Sequence, residues 1–251
     1  MRGRLALLCP FLFAGCALLP SPVPMTSVRY PMPGEAHARC LVILLPGFGD
    51  RGETFKEERF VDALHASGVS ADLVGADATM GYYFKGVAPE RLDLDVVRPA
   101  RAPGYEQVWL IGISMGGFGA FEYTQQHSEQ VDGVLALAPY LGARSLAEEI
   151  RRAGGLAAWT PDPVAPVVEN NYQRQLWSWL HRVVTGKQKG PIIYLGFGDD
   201  DGLGAQDSVL GQALPPDHVL HTPGGHDWPP WRDLLAQFLQ ASDFSRACAR
   251  K

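Results

Sequence analysis

The chain has 251 residues, of which 46% are hydrophobic, and carries a formal net charge of −5. That is enough apolar material to bury one sizeable core, as a one-domain α/β protein of this length requires. The 22 basic residues form no block, so the chain has no electrostatic footprint for nucleic acid, and its cysteines and seven histidines fall at no zinc-ligand spacing.

At the start, Arg2 and Arg4 precede the apolar run Leu5 to Ala14. The run is too short for a stable bilayer span and has the form of a secretory signal over residues 1–15. It ends in Phe13-Ala14-Gly15-Cys16, which resembles the bacterial lipobox. That resemblance implies lipidation of Cys16 and a membrane-anchored lipoprotein, and Ala17 in place of aspartate after the cysteine goes with outer-membrane sorting, facing the periplasm. Cleavage after Ala17, giving a secreted or periplasmic soluble protein, is the alternative. Residues 16–37 carry Pro20, Pro22, Pro24, Pro31 and Pro33, a composition expected of a tether. Export permits a disulfide between Cys40 and Cys248, although two free thiols fit the sequence equally.

From residue 38 onward, strands and helices alternate as in a mostly parallel sheet covered on both faces. The first buried strand, near 40–45, runs into Pro46-Gly47-Phe48-Gly49-Asp50. Such a loop can offer a backbone N–H to a developing oxyanion, here that of Phe48 or alternatively Gly49; a plain turn is the competing reading. A helix over Glu53 to Ser67 and a strand near 71–75 follow, then the loop Met80-Gly81-Tyr82-Tyr83-Phe84, whose Tyr82 and Tyr83 are candidate pocket walls.

The strand near 107–113 leads into Gly112-Ile113-Ser114-Met115-Gly116 and then a helix over Met115 to His127. A nucleophilic serine needs its oxygen held clear of the chain on a sharp strand-to-helix bend, and flanking glycines keep side chains out of that bend. Ser114 is therefore the candidate nucleophile, and the Met115 amide is a candidate oxyanion donor. A strand near 131–138 precedes an insertion over residues 141–190. There Ala147 to Ala153 and Tyr172 to Val184 have helical patterns, interrupted by the proline-broken Thr160 to Pro166. Leu176, Trp177, Leu180 and Val183 make a helical stripe of the kind that usually packs. A helical insertion here can also roof a pocket, which makes Trp159, Trp177 and Trp179 candidates for its wall.

The strand near 191–197 ends in Gly198-Asp199-Asp200-Asp201-Gly202. The spacing Gly198-x-x-Asp201 favours Asp201 as the acid that orients a histidine, with Asp199 and Asp200 as solvated turn residues. After a helix over Ala205 to Ala213 and a short strand near 217–221, His226 lies in the loop Pro223-Gly224-Gly225-His226-Asp227-Trp228, before a final helix over Trp231 to Gln240. Its loop position favours it over His221 as the base.

The order Ser114, Asp201, His226, each just past a strand, resembles the α/β-hydrolase superfamily. Gly112 to Ala120, together with Gly225-His226-Asp227-Trp228, is similar to the esterase D and tributyrin-esterase-like serine carboxylesterases. The likeness spans about residues 38–240, with one departure: Pro46-Gly47 stands where many relatives carry His-Gly, so only a backbone role carries over to that loop. The resemblance implies an α/β-hydrolase fold with a mostly parallel sheet of about six to eight strands and a short helical cap. It also implies cleavage of carboxylic esters, small-molecule or lipid, with no cofactor and no metal. Acyl transfer, thioester or lipid-ester cleavage by the same residues, and a non-catalytic surface-binding role are the competing readings.

Overall fold

The computed structural model describes residues 20–161 and 172–250, so the signal segment, Cys16 and most of Thr160 to Pro166 lie outside the described residues. Seven strands make one sheet: β1 (Ser27–Tyr30), β2 (Cys40–Leu45), β3 (Ala71–Ala76), β4 (Gln107–Ile113), β5 (Gly133–Leu137), β6 (Ile192–Gly198) and β7 (Val219–Thr222). Their spatial order is β1-β3-β2-β4-β5-β6-β7, and only β1 runs antiparallel to its neighbour. Strands buried on both faces read as unbroken apolar runs rather than as alternation, and every residue of β2 and β5 is buried.

The helices are α1 (Thr54–Glu57), α2 (Phe60–Ala66), α3 (Met80–Phe84), α4 (Ala88–Leu92), α5 (Arg98–Arg101), α6 (Met115–Gln126), α7 (Arg144–Arg152), α8 (Tyr172–Val184), α9 (Gly204–Gly211), α10 (Trp228–Ala241) and α11 (Asp243–Ala247). Among the described residues, none is long and apolar enough to cross a membrane. The core joins the sheet to its covering helices through large side chains such as Trp109, which lies against Phe244 at 5.3 Å and Phe238 at 5.9 Å. Burying one such apolar side chain stabilises the fold by about 1.5–3 kcal/mol.

Three expectations are corrected. The single helix over Glu53 to Ser67 is two, α1 and α2, separated at Arg59, whose φ of 69° cannot continue a helix. Met80 to Phe84 is helical rather than a loop, and Tyr82 lines no pocket: it is fully buried and its hydroxyl donates to the Pro22 carbonyl. The third correction concerns the proline-rich tether. From Pro20 onward that segment lies on the domain, with β1 paired along β3 and Met25 and Met32 buried in the body of the protein.

Cys40 and Cys248 are joined by a disulfide with a Cα–Cα distance of 5.8 Å. It ties the C-terminal segment to the first residue of β2, at the edge of the sheet opposite the one that collects the candidate site.

Candidate active site

Parallel strands bring their C-terminal ends to one edge, and the loops beyond those ends are where an α/β sheet carries its chemistry. Ser114 follows β4, Asp201 follows β6 and His226 follows β7, so residues remote in sequence share that edge. Ser114 has φ 53° and ψ −115°, a conformation a non-glycine residue holds at a cost of about 1–3 kcal/mol. The surroundings enforce it. The Ser114 N–H donates to the Leu137 carbonyl at 2.9 Å, and the Ser114 carbonyl accepts from Gly117 at 3.0 Å and Tyr140 at 2.9 Å. A Cβ at Gly112 would meet the Gly116 carbonyl oxygen at 2.3 Å, and one at Gly116 would meet the Leu45 oxygen at 2.0 Å. The bend therefore needs both glycines, and the start of α6 sits directly on the end of β2.

The hydroxyl lifted by this bend reaches a histidine. Ser114 Oγ lies 2.9 Å from His226 Nε2, and His226 Nδ1 lies 2.9 Å and 3.1 Å from the two Asp201 carboxylate oxygens. A carboxylate only accepts, so the Nδ1–H donates to Asp201 and Nε2 is left to accept from Ser114. The Asp201 side chain is 0% exposed, and its Oδ1 also accepts the Leu203 amide at 2.8 Å, which fixes the carboxylate from behind. Trp231 packs edge-on against the imidazole at 5.1 Å. Of the neighbouring aspartates, Asp199 turns instead to His221, 3.6 Å away on β7, with both side chains half exposed.

Gly47 brings the loop after β2 against the serine: a Cβ there would be 3.6 Å from Ser114 Cβ. The Phe48 N–H has no partner among the described residues. Met115 supplies the first amide of α6, which has no intrahelical acceptor. The Met115 N–H is thus next to the serine in the chain, and the Phe48 N–H follows the glycine that abuts it. Among the described residues, no group of three His, Cys, Asp or Glu side chains gathers to hold a metal ion.

The Hydrolase_4 family, described as serine aminopeptidase, S33, matches residues 36–185 by its sequence profile. The chain belongs to this family of α/β-hydrolases. The match takes in the β2 loop and Ser114 and ends before Asp201 and His226, which the geometry above adds. No curated protein matches this α/β-hydrolase in sequence. Solved structures share its fold: a ferulic acid esterase at 20% identity, covering 85% of this chain and 87% of that one with a TM-score of 0.54; and Est1E from Butyrivibrio proteoclasticus at 14% identity, covering 87% and 95% with a TM-score of 0.55. The S-formylglutathione hydrolase FrmB from Staphylococcus aureus, at 14% identity, covers 80% of each chain with a TM-score of 0.54.

The cap region of this α/β-hydrolase corrects the expected pocket wall. Trp177 and Trp179 are fully buried and Trp159 is nearly so. Trp177 donates to the Leu141 carbonyl at 2.8 Å, Trp159 donates to Glu149 at 3.0 Å, and Trp179 packs 6.2 Å from Phe121. These rings bind α7 and α8 to the body instead of facing a substrate. The aromatics near Ser114 are others: Phe118, one turn into α6, contacts Tyr83 at 6.1 Å, Tyr140 at 6.1 Å and Tyr172 at 5.5 Å. Of these only Tyr83 was a sequence candidate. Tyr140 could have been found, because it lies three residues past the end of β5 at the carboxyl edge. Two turns into α6, burial pushes the Glu122 carboxyl up to about 7.

Proposed function

We propose that the protein is a serine esterase in which Ser114, His226 and Asp201 act as a catalytic triad. The observation that carries this reading is the unbroken hydrogen-bonded line from Asp201 through His226 to a strained, partly exposed Ser114. Ser114 Oγ attacks the ester carbonyl carbon as its proton passes to His226 Nε2, and Asp201 stabilises the imidazolium. The Phe48 and Met115 amides receive the oxyanion, each donor worth about a hundred- to a thousandfold in turnover. The C–O bond then breaks, the alcohol leaves with the proton from His226, and an acyl-Ser114 ester remains. Water, deprotonated by His226, attacks that ester; the acid leaves and Ser114 regains its proton.

The chain is further read as an exported lipoprotein attached through Cys16 to the outer membrane, facing the periplasm. The Arg-flanked apolar run ending in Phe13-Ala14-Gly15-Cys16 supports this, and so does the Cys40–Cys248 disulfide, which suits an oxidising compartment.

Hydrolysis of p-nitrophenyl esters from acetate to palmitate, with aminoacyl p-nitroanilides alongside, tests the chemistry. Ester turnover that disappears in Ser114→Ala is expected. Turnover that survives that substitution, or that is confined to the anilides, would overturn the esterase reading.

A further inference from the structure

We propose that the catalytic edge of the sheet is held against a lipid bilayer by the N-terminal segment, so that the ester substrate is drawn from the membrane. The proposal rests on the lipid-anchor and esterase readings above, and adds to them an orientation imposed by the fold.

β1 is antiparallel to β3, with Ser27 opposite Ala76, the last residue of β3. The chain preceding Ser27 therefore lies at the same edge of the sheet as the loops bearing Ser114, Asp201 and His226. With β3 and β2 between β1 and β4, that entry point is three strand spacings from the strand bearing Ser114, about 14 Å.

A free tether would leave the edge pointing anywhere, but Pro20, Ser21, Pro22, Met25 and Thr26 are each bonded to the domain. Thr79 Oγ1 donates to the Pro20 carbonyl at 2.8 Å, Tyr82 donates to Pro22, and Lys85 donates to the Ser21 hydroxyl. The Met25 N–H donates to Asp95 at 2.7 Å, and Thr26 Oγ1 donates to Asp77 at 2.6 Å. Only the links from Cys16 to Pro20 remain, and fully extended they reach at most about 14 Å. A lipid on Cys16 therefore brings the membrane surface to α3. The inner side of that helix carries Tyr83, whose ring lies against Phe118 beside the nucleophile.

Six large hydrophobic side chains are exposed among the described residues: Val23, Phe48, Phe84, Leu94, Tyr172 and Ile192. Val23 lies within the bonded segment, Phe84 adjoins its partner Lys85, and Leu94 adjoins its partner Asp95. Phe48 follows Gly47, which abuts Ser114, and Tyr172 packs on Phe118, one turn past the nucleophile. Ile192 alone begins a strand at the opposite edge. Apolar side chains gathered around an anchor point and a site mouth suit the acyl boundary of a bilayer, which accepts them without a preformed partner.

The test uses the full lipidated chain in vesicles of phosphatidylethanolamine and phosphatidylglycerol, assayed on soluble p-nitrophenyl butyrate and on a diacylglycerol embedded in the vesicles. Two changes are compared with wild type: a twenty-residue Gly/Ser insertion between Leu18 and Leu19, and the triple substitution Val23→Ser, Phe84→Ser, Leu94→Ser. The expected result is a tenfold or larger fall on the embedded ester with each change, and an unaltered rate on the soluble one. An unchanged rate on the embedded ester, or Cys16 found without lipid by mass spectrometry, would overturn the proposal. Wild type inactive on both esters would refute the esterase reading separately. The orientation is then read by hydrogen exchange over residues 80–95, which should be slower on vesicles than in detergent; equal exchange would overturn it.

Discussion

The two edges of the sheet use the same backbone in opposite ways. At the edge where β2 begins, polar groups are tied off: Ser70 N–H donates to the Cys248 carbonyl at 2.7 Å, Arg250 N–H to Gly68 at 2.9 Å, and Arg39 to the Ala249 carbonyl at 2.9 Å. The disulfide closes that edge. At the edge where β2 ends, the Phe48 amide has no partner among the described residues, and both Ser114, at φ 53°, and Ala138, at φ 45°, stand in backbone conformations that non-glycine residues avoid. A fold can hold strain and unpaired donors on one side because the other side is over-determined, and reactive groups are found where pairing is incomplete.

The largest effects are expected at the strained edge. Ser114→Ala or His226→Ala should lower kcat about a millionfold while leaving the fold intact, as measured by ester turnover alongside circular dichroism. Asp201→Asn should lower it about ten-thousandfold by disturbing the imidazole tautomer, whereas Asp199→Asn and Asp200→Asn should stay close to wild type. Equal mild losses at all three aspartates would detach Asp201 from its assigned role.

The tied edge predicts the converse. Cys40→Ala with Cys248→Ala should reduce stability by about 2–5 kcal/mol in a urea titration, since the bridge closes a very long loop, and should leave turnover per folded molecule unchanged. A loss of turnover in fully folded enzyme would show that the two edges are not independent.

Smaller effects come from two carboxyls with opposite environments. Glu122 has its folded pKa raised to about 7 by burial. Its contribution is neutral at pH 4 and becomes a penalty as pH rises from the ordinary carboxylate range through about 7, so Glu122→Gln should raise Tm relative to wild type at pH 8 and not at pH 4. Glu149 is held down to about 2, chiefly by the Arg174 guanidinium and also by the Trp159 N–H. Its stabilisation is present above the ordinary glutamate range and lost as pH falls through about 2. The Tm deficit of Glu149→Gln should therefore be small at pH 7, because the pair is partly exposed, and should shrink toward zero in strong acid.

What the sequence revealed follows the same division. Buried parallel strands are continuous apolar runs, so β2, β4, β5 and β6 could be read directly, and a glycine-flanked serine between strand and helix marked the bend. β1 escaped because it is four edge residues, Ser-Val-Arg-Tyr, alternately exposed and half-buried, with no apolar run. The helical run between β3 and β4 escaped because two prolines interrupt its pattern: Pro89 stands in the first turn of α4, where its missing N–H costs nothing, and Pro99 follows a π-helical turn over Asp93–Val97 that runs unbroken from α4 into α5. The cap tryptophans were misplaced for a different reason: helical spacing shows that a stripe shares one face, not what that face meets. Proline content misled in the same way at the N-terminus, where a segment able to be a free tether is bonded to the domain by groups far away in the chain.

Whether Ser114 carries the acyl group is read by intact and peptide mass spectrometry after rapid mixing with p-nitrophenyl butyrate and an acid quench. A butyryl adduct on the peptide containing Ser114, absent from Ser114→Ala and accumulating in a variant slowed in deacylation, is the predicted result. Hydrolysis of the ester with no adduct on Ser114, or with an adduct elsewhere in the chain, would contradict the account.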